Sequence, residues 1–195
     1  MSAGTKNLII DQGADWFINF TYKNAADSPI NLSDYSAALQ LRSSYDAASP
    51  ALSLSTGFLG IKSTTSDAIG VGSTTFSVSS TSLFSVGTRV RAASVTSPSN
   101  FQEGAVASFV TNTSVTITVD LIGGTGTFSN WVFSSAAPGI TVTPLLGEIA
   151  VHATATQTGA VVAGDYVYDL EITSSEGIVT RIVQGRATVT PQVTR

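Results

Sequence analysis

The sequence predicts an all-β protein, and three observations lead to that prediction. Apolar and polar side chains alternate in most hydrophobic segments, which is the period of a strand with one buried face. β-branched and aromatic residues dominate these segments. The segments are short, and glycine-rich or polar turn signals separate them. With 195 residues, the chain is long enough for one large domain or two small ones.

The strand signals begin near the N-terminus. Residues 8–10 form a short apolar run, and residues 16–22 alternate in the order Trp-Phe-Ile-Asn-Phe-Thr-Tyr. After a turn-rich connection, residues 37–42 and residues 52–55 alternate again. No segment shows the longer period of an amphipathic helix, so these stretches predict strands of one antiparallel sandwich.

The residue pattern of the sequence changes at about residue 64, where very short strand signals and glycine turns begin. The earlier pattern resumes at about residue 136. These changes predict two β domains, one inserted in the other. The outer domain, residues 1–64 with 136–195, would be an Ig-like or jelly-roll-like β-sandwich. Residues 65–135 would form a small β-barrel or sandwich, and the alternative is one continuous β domain.

The clearest single element is a β-hairpin in the C-terminal part of the chain. Residues 166–173 read Tyr-Val-Tyr-Asp-Leu-Glu-Ile-Thr, and residues 178–184 read Ile-Val-Thr-Arg-Ile-Val-Gln. The Ser-Ser-Glu-Gly link between them suits a type I turn followed by Gly177 at positive φ. Both arms would therefore pair without a long loop.

This turn also predicts the register of the hairpin. It places Glu171 opposite Arg181, as a structural charge pair, and Leu170 opposite Ile182. One face of the hairpin would be apolar and the other would carry the charges. The pair would contribute about 0.2–1 kcal/mol, so its main effect would be on register.

Several of these stretches resemble a family of structural proteins of tailed bacteriophages. The resemblance is carried by the hairpin, by Ile-Asp-Gln-Gly-Ala-Asp-Trp-Phe at 10–17, and by Pro-Gln-Val-Thr-Arg at 191–195. The middle segment resembles a small β module of phage tail and fibre proteins, through Val-Gly-Thr-Arg-Val-Arg at 86–91 and Gly-Gly-Thr-Gly-Thr-Phe at 123–128.

The resemblance implies a non-enzymatic structural subunit of a virion, made in the bacterial host cytoplasm. The favoured location is the tail, as a baseplate, collar or fibre-attachment component, and the alternative is capsid decoration. Partners would be other phage virion proteins, including copies of this chain in a trimer or ring. A second alternative is a carbohydrate-binding module of a host-recognition protein, with the inserted domain as the lectin.

Composition excludes several classes of function. Cysteine is absent, so disulfides and thiolate metal sites are excluded. Charged residues are only 11% of the chain and the net charge is −4, so the nine basic residues make no stripe for nucleic acid. No apolar run approaches the roughly 20 residues of a membrane helix, and the N-terminus does not have the pattern of a signal peptide.

The sequence predicts no catalytic, cofactor-binding or metal-binding residue. His152 is the only histidine, and no nucleophile motif or second metal ligand accompanies it. Gly-Gly-Thr-Gly at 123–126 lacks the Lys-Ser/Thr of a phosphate-binding loop and predicts a turn. Asp165, Asp169 and Glu171 lie close in sequence, but they form no calcium-loop pattern.

Interaction sites are expected in the loops of the inserted domain, because loops on a rigid β scaffold commonly carry binding residues. The candidates are Asn100, Phe101 and Asn130. Arg89 and Arg91 alternate with Val90 and therefore share a strand face. They could contact an acidic partner or an anionic glycan, or form a solvated face. A glycan ligand is compatible with this pattern, but no motif supports it.

Overall fold

The computed structural model describes residues 3–136 and 139–193, and the fold is all-β as predicted. Two compact units are present. The first contains the chain up to Thr56 and from Gly139 onward, and the second begins at Gly57 and fills the interval between. Residues 194 and 195 of the C-terminal motif lie outside the described residues.

Most of the secondary structure consists of short strands. In chain order the elements are β1 (Gly4–Thr5), β2 (Leu8–Asp11), β3 (Trp16–Thr21), β4 (Ser36–Arg42), β5 (Leu52–Ser55), β6 (Phe58–Ser63), β7 (Asp67–Ala68), β8 (Gly72–Ser77), β9 (Arg89–Ser94), β10 (Phe101–Val110), β11 (Ser114–Gly123), β12 (Thr127–Phe128), β13 (Trp131–Ser135), β14 (Ile140–Thr143), a 3-10 turn (Pro144–Leu146), β15 (Glu148–Ala153), α1 (Ala155–Gly159), β16 (Gly164–Thr173) and β17 (Val179–Thr190).

The first unit is a sandwich of two sheets. The larger sheet has the order β1–β17–β16–β4–β5, with β2 also paired to β17, and the smaller sheet has the order β14–β15–β3. β1 and β2 run parallel to β17, whereas the other pairs are antiparallel. Leu39 and Leu170 from the larger sheet share one buried cluster with Ile149 and Val151 from the smaller sheet. Strand alternation places these side chains between the sheets.

The hairpin of β16 and β17 forms as predicted, with one difference in register. Gly177 has φ +81°, and its N–H donates to the carbonyl of Ser174 at 2.9 Å. Glu171 lies opposite Arg181, but Leu170 lies opposite Val183, because the register shifts between Leu170 and Glu171. The predicted pairing of Leu170 with Ile182 is therefore wrong, since a β-bulge takes up Ile182.

The second unit is a six-stranded sheet with the order β6–β13–β9–β10–β11–β8, accompanied by the small β7–β12 pair. The sheet curls into a half-barrel. Phe76 on β8 lies four strands away from β13, a separation of about 19 Å in a flat sheet. Its ring nevertheless contacts Trp131 and Phe133 on β13, with centroids 5.5 and 5.3 Å apart. The buried cluster of this unit lies inside that curve.

The boundary between the units differs from the predicted one by several residues. Residues 58–63 were expected in the outer domain, but they form β6, which pairs with β13 of the second unit. Ile61 accordingly belongs to the buried cluster of the second unit. At the other end, the division falls just before Gly139 rather than at residue 136.

A short helix occupies part of a segment that reads as a connection in the sequence. α1 begins after Thr154, whose side-chain oxygen accepts from the N–H of Gln157. The Gln157 side chain in turn accepts from the Thr154 N–H, which completes a capping box. The only signal for this helix is the Thr-Ala-Thr-Gln spacing.

Candidate functional site

The outer face of the larger sheet carries an ordered array of polar side chains. Tyr168 and Leu170 of β16 point into the core, so Val167, Asp169 and Glu171 point away from it. Each has a neighbour on both flanking strands, which gives three rows across β4, β16 and β17: Arg42, Val167 and Arg186; Gln40, Asp169 and Gln184; Ala38, Glu171 and Arg181.

Arg181 contacts three polar side chains of this face. Its Nε lies 3.0 Å from Oδ2 of Asp169, and its Nη2 donates to Oε1 of Glu171 at 3.3 Å. Its Nη1 donates to Oε1 of Gln184 at 3.3 Å. The predicted pair of Glu171 and Arg181 is thus part of a three-partner network. The Arg181 side chain is half exposed, so the network contributes more to order than to stability.

A second arginine organises the other side of the same face. Arg42 Nη2 donates to Oε1 of Gln40 at 2.8 Å, and its Nη1 donates to the carbonyl of Ala47. The second bond fixes the loop after β4, where Tyr45 lies with 79% of its surface exposed. The arginine therefore positions both a strand residue and the loop that carries the tyrosine.

These side chains enclose a shallow cleft with a volume of about 220 Å³. Its lining includes Gln40, Arg42, Tyr45, Asp169, Glu171 and Arg181. The two arginines balance the two carboxylates in charge. The cleft therefore offers hydrogen-bond donors and acceptors side by side, without a net charge.

The strands beneath the cleft are held in position by contacts on their core side. The buried Tyr168 hydroxyl donates to the carbonyl of Lys6 at 2.8 Å, and burial raises the pKa of Tyr168 to about 12. Gly185 lies directly opposite Tyr168, where a Cβ atom would fall 2.1 Å from the same carbonyl. The glycine is needed for this close approach of the chain.

In the second unit, two of the three predicted loop residues, Asn100 and Asn130, meet at Ser94. The Ser94 N–H donates to the carbonyl of Asn100 at 2.9 Å, and its hydroxyl donates to Oδ1 of Asn130 at 3.1 Å. Asn130 also donates through Nδ2 to Thr96. Phe101 is not in a loop, because it is the first residue of β10. A binding role for these three residues stays a prediction, and the bonds of the Asn130 side chain hold the turns together.

The two arginines of β9 form a charged network rather than a free face. Arg91 lies over the ring of Phe101 at 3.8 Å and pairs with the buried Glu103 at 2.8 Å. Arg89 also reaches Glu103, at 3.4 Å, and makes a two-point contact with Asp120 at 2.6 and 2.7 Å. Hydrogen bonds from Arg89 lower the pKa of Asp120. Both arginines are therefore engaged within the unit.

His152, Asp15 and Asp165 each have partners within the first unit. His152 stacks on Phe17, with centroids 4.1 Å apart, and its Nε2 lies 3.2 Å from Asp15. Asp15 accepts in addition from the N–H of Ala155, which gives the carboxylate a structural partner. Asp165 accepts from the Thr188 hydroxyl, away from Arg181. In the part of the chain that the structure describes, no cluster of His, Cys, Asp and Glu could hold a metal ion.

The edge strand β3 is a second candidate for interaction. It is the terminal strand of its sheet, and its sequence Trp-Phe-Ile-Asn-Phe-Thr contains no charge and no proline. Trp16, Ile18 and Phe20 point to the core but remain half-buried, and Phe17 is 67% exposed on the other face. Pairing with β15 runs without a register shift, so no bulge protects the edge.

The chain matches no protein-family model, and a search of curated proteins returns no significant match. Within residues 3–136 and 139–193, none of the helices has the length and hydropathy needed to cross a membrane.

The sequence analysis did not predict several of the residues that line the cleft. Gln40 and Arg42 alternate with the buried Leu39 and Leu41, so the period of β4 did indicate that they face outward. Their position beside Asp169 depends on the pairing of β4 with β16, which are more than 120 residues apart in sequence. No pattern in the sequence indicated a role for Tyr45, because it lies in a polar loop without strand alternation.

Proposed function

We propose that this chain is a non-enzymatic structural subunit of a tailed-phage virion, located in the tail as a baseplate, collar or fibre-attachment component. The resemblance of residues 10–17 and of the hairpin to phage structural proteins supports the proposal. The all-β architecture of two units agrees with it. The observation that carries it is the unprotected edge of β3.

An edge strand with free backbone groups is a template for another strand. Proteins that work as free monomers protect such edges with charges, prolines or bulges, and β3 has none of these. The three half-buried side chains of its inner face would complete their burial under a neighbouring strand. In a free protein, an unprotected edge strand with apolar side chains promotes aggregation. In a subunit of an assembly, a neighbouring subunit covers such an edge permanently.

The proposed partner at this edge is a strand of a neighbouring virion subunit. Strand addition supplies backbone hydrogen bonds, and the alternating side chains supply specificity. Stable interfaces bury about 1,000 Å² or more. Repeated around a symmetry axis, such contacts between copies of this chain generate a trimer or a ring.

Charging the edge tests the role of β3. Phe17→Lys together with Asn19→Lys alters two side chains that point to solvent, so the fold should remain. The wild-type chain should form an oligomer in sedimentation or light-scattering measurements, and the double variant should be monomeric. Ser53→Lys on β5, the outer edge of the other sheet, is the matched control and should keep the oligomer. A monomeric wild-type chain, or an oligomeric double variant, would contradict the role of β3.

Localisation tests the virion proposal itself. Gold-labelled antibody against this chain should mark the tail or its fibres on purified particles. Even labelling of the head would replace the tail assignment with capsid decoration. Detection only in infected-cell extract, and never in purified particles, would remove both assignments.

A further inference from the structure

We propose that the cleft on the outer face of β4, β16 and β17 is a binding site for a neutral saccharide, with Tyr45 as the stacking platform. This site goes beyond a structural role in the particle. It lies entirely within the first unit, and not in the inserted unit, where the second alternative of the sequence analysis places a lectin. Three properties of the cleft lead to this ligand class.

The first property is the exposed aromatic ring at the cleft. Tyr45 lines the cleft with 79% of its surface exposed, and the adjoining loop is held by the bond from Arg42 to the Ala47 carbonyl. One face of a pyranose ring presents C–H groups, which pack against an aromatic ring. Tyrosine offers this contact area at a low cost in conformational entropy.

The second property is the set of planar polar groups around that ring. Gln40 lines the cleft and accepts from Arg42 through Oε1, and its amide nitrogen adds two N–H donors to the set. Asp169 and Glu171 each have acceptor capacity beyond their contact with Arg181. Donors and acceptors side by side suit sugar hydroxyls, because each hydroxyl donates one bond and accepts others. Their fixed positions reduce the ordering that binding requires.

The third property is the balance of charge and size. Arg42 and Arg181 offset Asp169 and Glu171, so neither a phosphate nor an acidic sugar is favoured. The volume of about 220 Å³ is below the roughly 300–1,000 Å³ of pockets for drug-sized ligands, so the cleft suits a ligand as small as a sugar ring. Tyrosine and arginine are also common at protein interfaces, so a protein partner is the alternative that the test below separates from a saccharide.

The test uses the labelled full-length chain on a printed array of neutral hexose and N-acetylhexosamine oligosaccharides. The wild-type chain should bind at least one of them. Tyr45→Ala should weaken that binding at least tenfold, and Tyr45→Trp should retain it because the ring remains. Leu145→Ala, which truncates an exposed apolar side chain of the same unit, should bind like the wild type. Circular dichroism on all variants verifies the fold.

Three outcomes would overturn the assignment. One is a wild-type chain that binds none of the neutral saccharides. Another is Tyr45→Ala binding as well as the wild type. The third is a photo-crosslinker at position 45 that joins this chain to another virion protein in assembled particles, which would make the cleft a protein contact. The array uses isolated chain, so its result is independent of where the chain lies in a particle.

Discussion

Leu170 and Glu171 are adjacent in sequence, yet the strand places them in opposite environments. Leu170 is fully buried between the sheets, whereas Glu171 lies on the polar face beside Arg181. Apolar burial contributes far more to stability than an ion pair that is one-third to one-half exposed. The core side of the hairpin therefore determines stability, and the outer side is free to carry function.

Truncation of each residue should reveal this difference. Leu170→Ala should lower the free energy of unfolding by about 2–5 kcal/mol, because it removes buried methyl groups and leaves a cavity. Glu171→Ala should lower it by at most ~1 kcal/mol. Urea denaturation of the two variants is the measurement. The reverse order would mean that the two faces of the hairpin have been exchanged.

At the residue scale, the sequence predicted the pair of Glu171 and Arg181 from alternation and turn chemistry, which are local properties. It did not predict that Leu170 would face Val183. The bulge at Ile182 depends on how β17 meets both β16 and the parallel strands β1 and β2. Such pairings join distant parts of the chain, and no local pattern encodes them.

At the element scale, β10 shows how strands of the second unit are held in register. The strand shifts register against β11 at two places, between Glu103 and Gly104 and between Val106 and Ser108. Glu103, buried beside the first shift, pairs with Arg91 on β9. A buried carboxylate needs such partners, because an unpaired charge is costly. The sequence indicated that Arg89 and Arg91 share a face, but the acid between them could not be identified.

Removal of the buried acid should therefore be costly. Glu103→Ala leaves Arg91 without this partner in a largely buried position, and it should destabilise the unit by on the order of 3 kcal/mol. The measurement is thermal or denaturant unfolding of the full chain. An unchanged stability would show that the network is dispensable.

Asp120→Ala is the matched control, because this carboxylate is exposed and its loss should cost less. Since Arg89 lowers the pKa of Asp120 in the folded state, the stabilisation is present above the ordinary value of 3.8 and is lost as the pH falls through the lower folded value. The difference between Asp120→Ala and the wild type should shrink accordingly in acid.

At the scale of the whole molecule, the chain places a self-contained half-barrel between two parts of one sandwich. The sequence indicated this arrangement because its residue pattern changes twice, at about residue 64 and at about residue 136. It misplaced the first boundary, because residues 58–63 alternate like the strands before them. Pairing of β6 with β13, about 70 residues away, decides which unit they join.

The two attachment points are close together within each unit. In the second unit, the N–H of Ser135 donates to the carbonyl of Gly57 at 2.9 Å. In the first unit, a Cβ atom on Gly139 would lie 2.8 Å from the Leu54 side chain, two residues before Thr56. A segment whose ends meet can be removed without stretching the rest of the chain.

Replacement of residues 57–138 by a short Gly-Ser link should therefore leave a folded sandwich. Its own core joins both sheets, so calorimetry or urea denaturation should show one cooperative transition. Removal of residues 65–135 alone is the matched control. It retains β6 without β13 and exposes Ile61, so this variant should be less soluble. A loss of cooperative unfolding in the 57–138 replacement, while the full chain retains it, would show that the sandwich depends on the half-barrel for its fold.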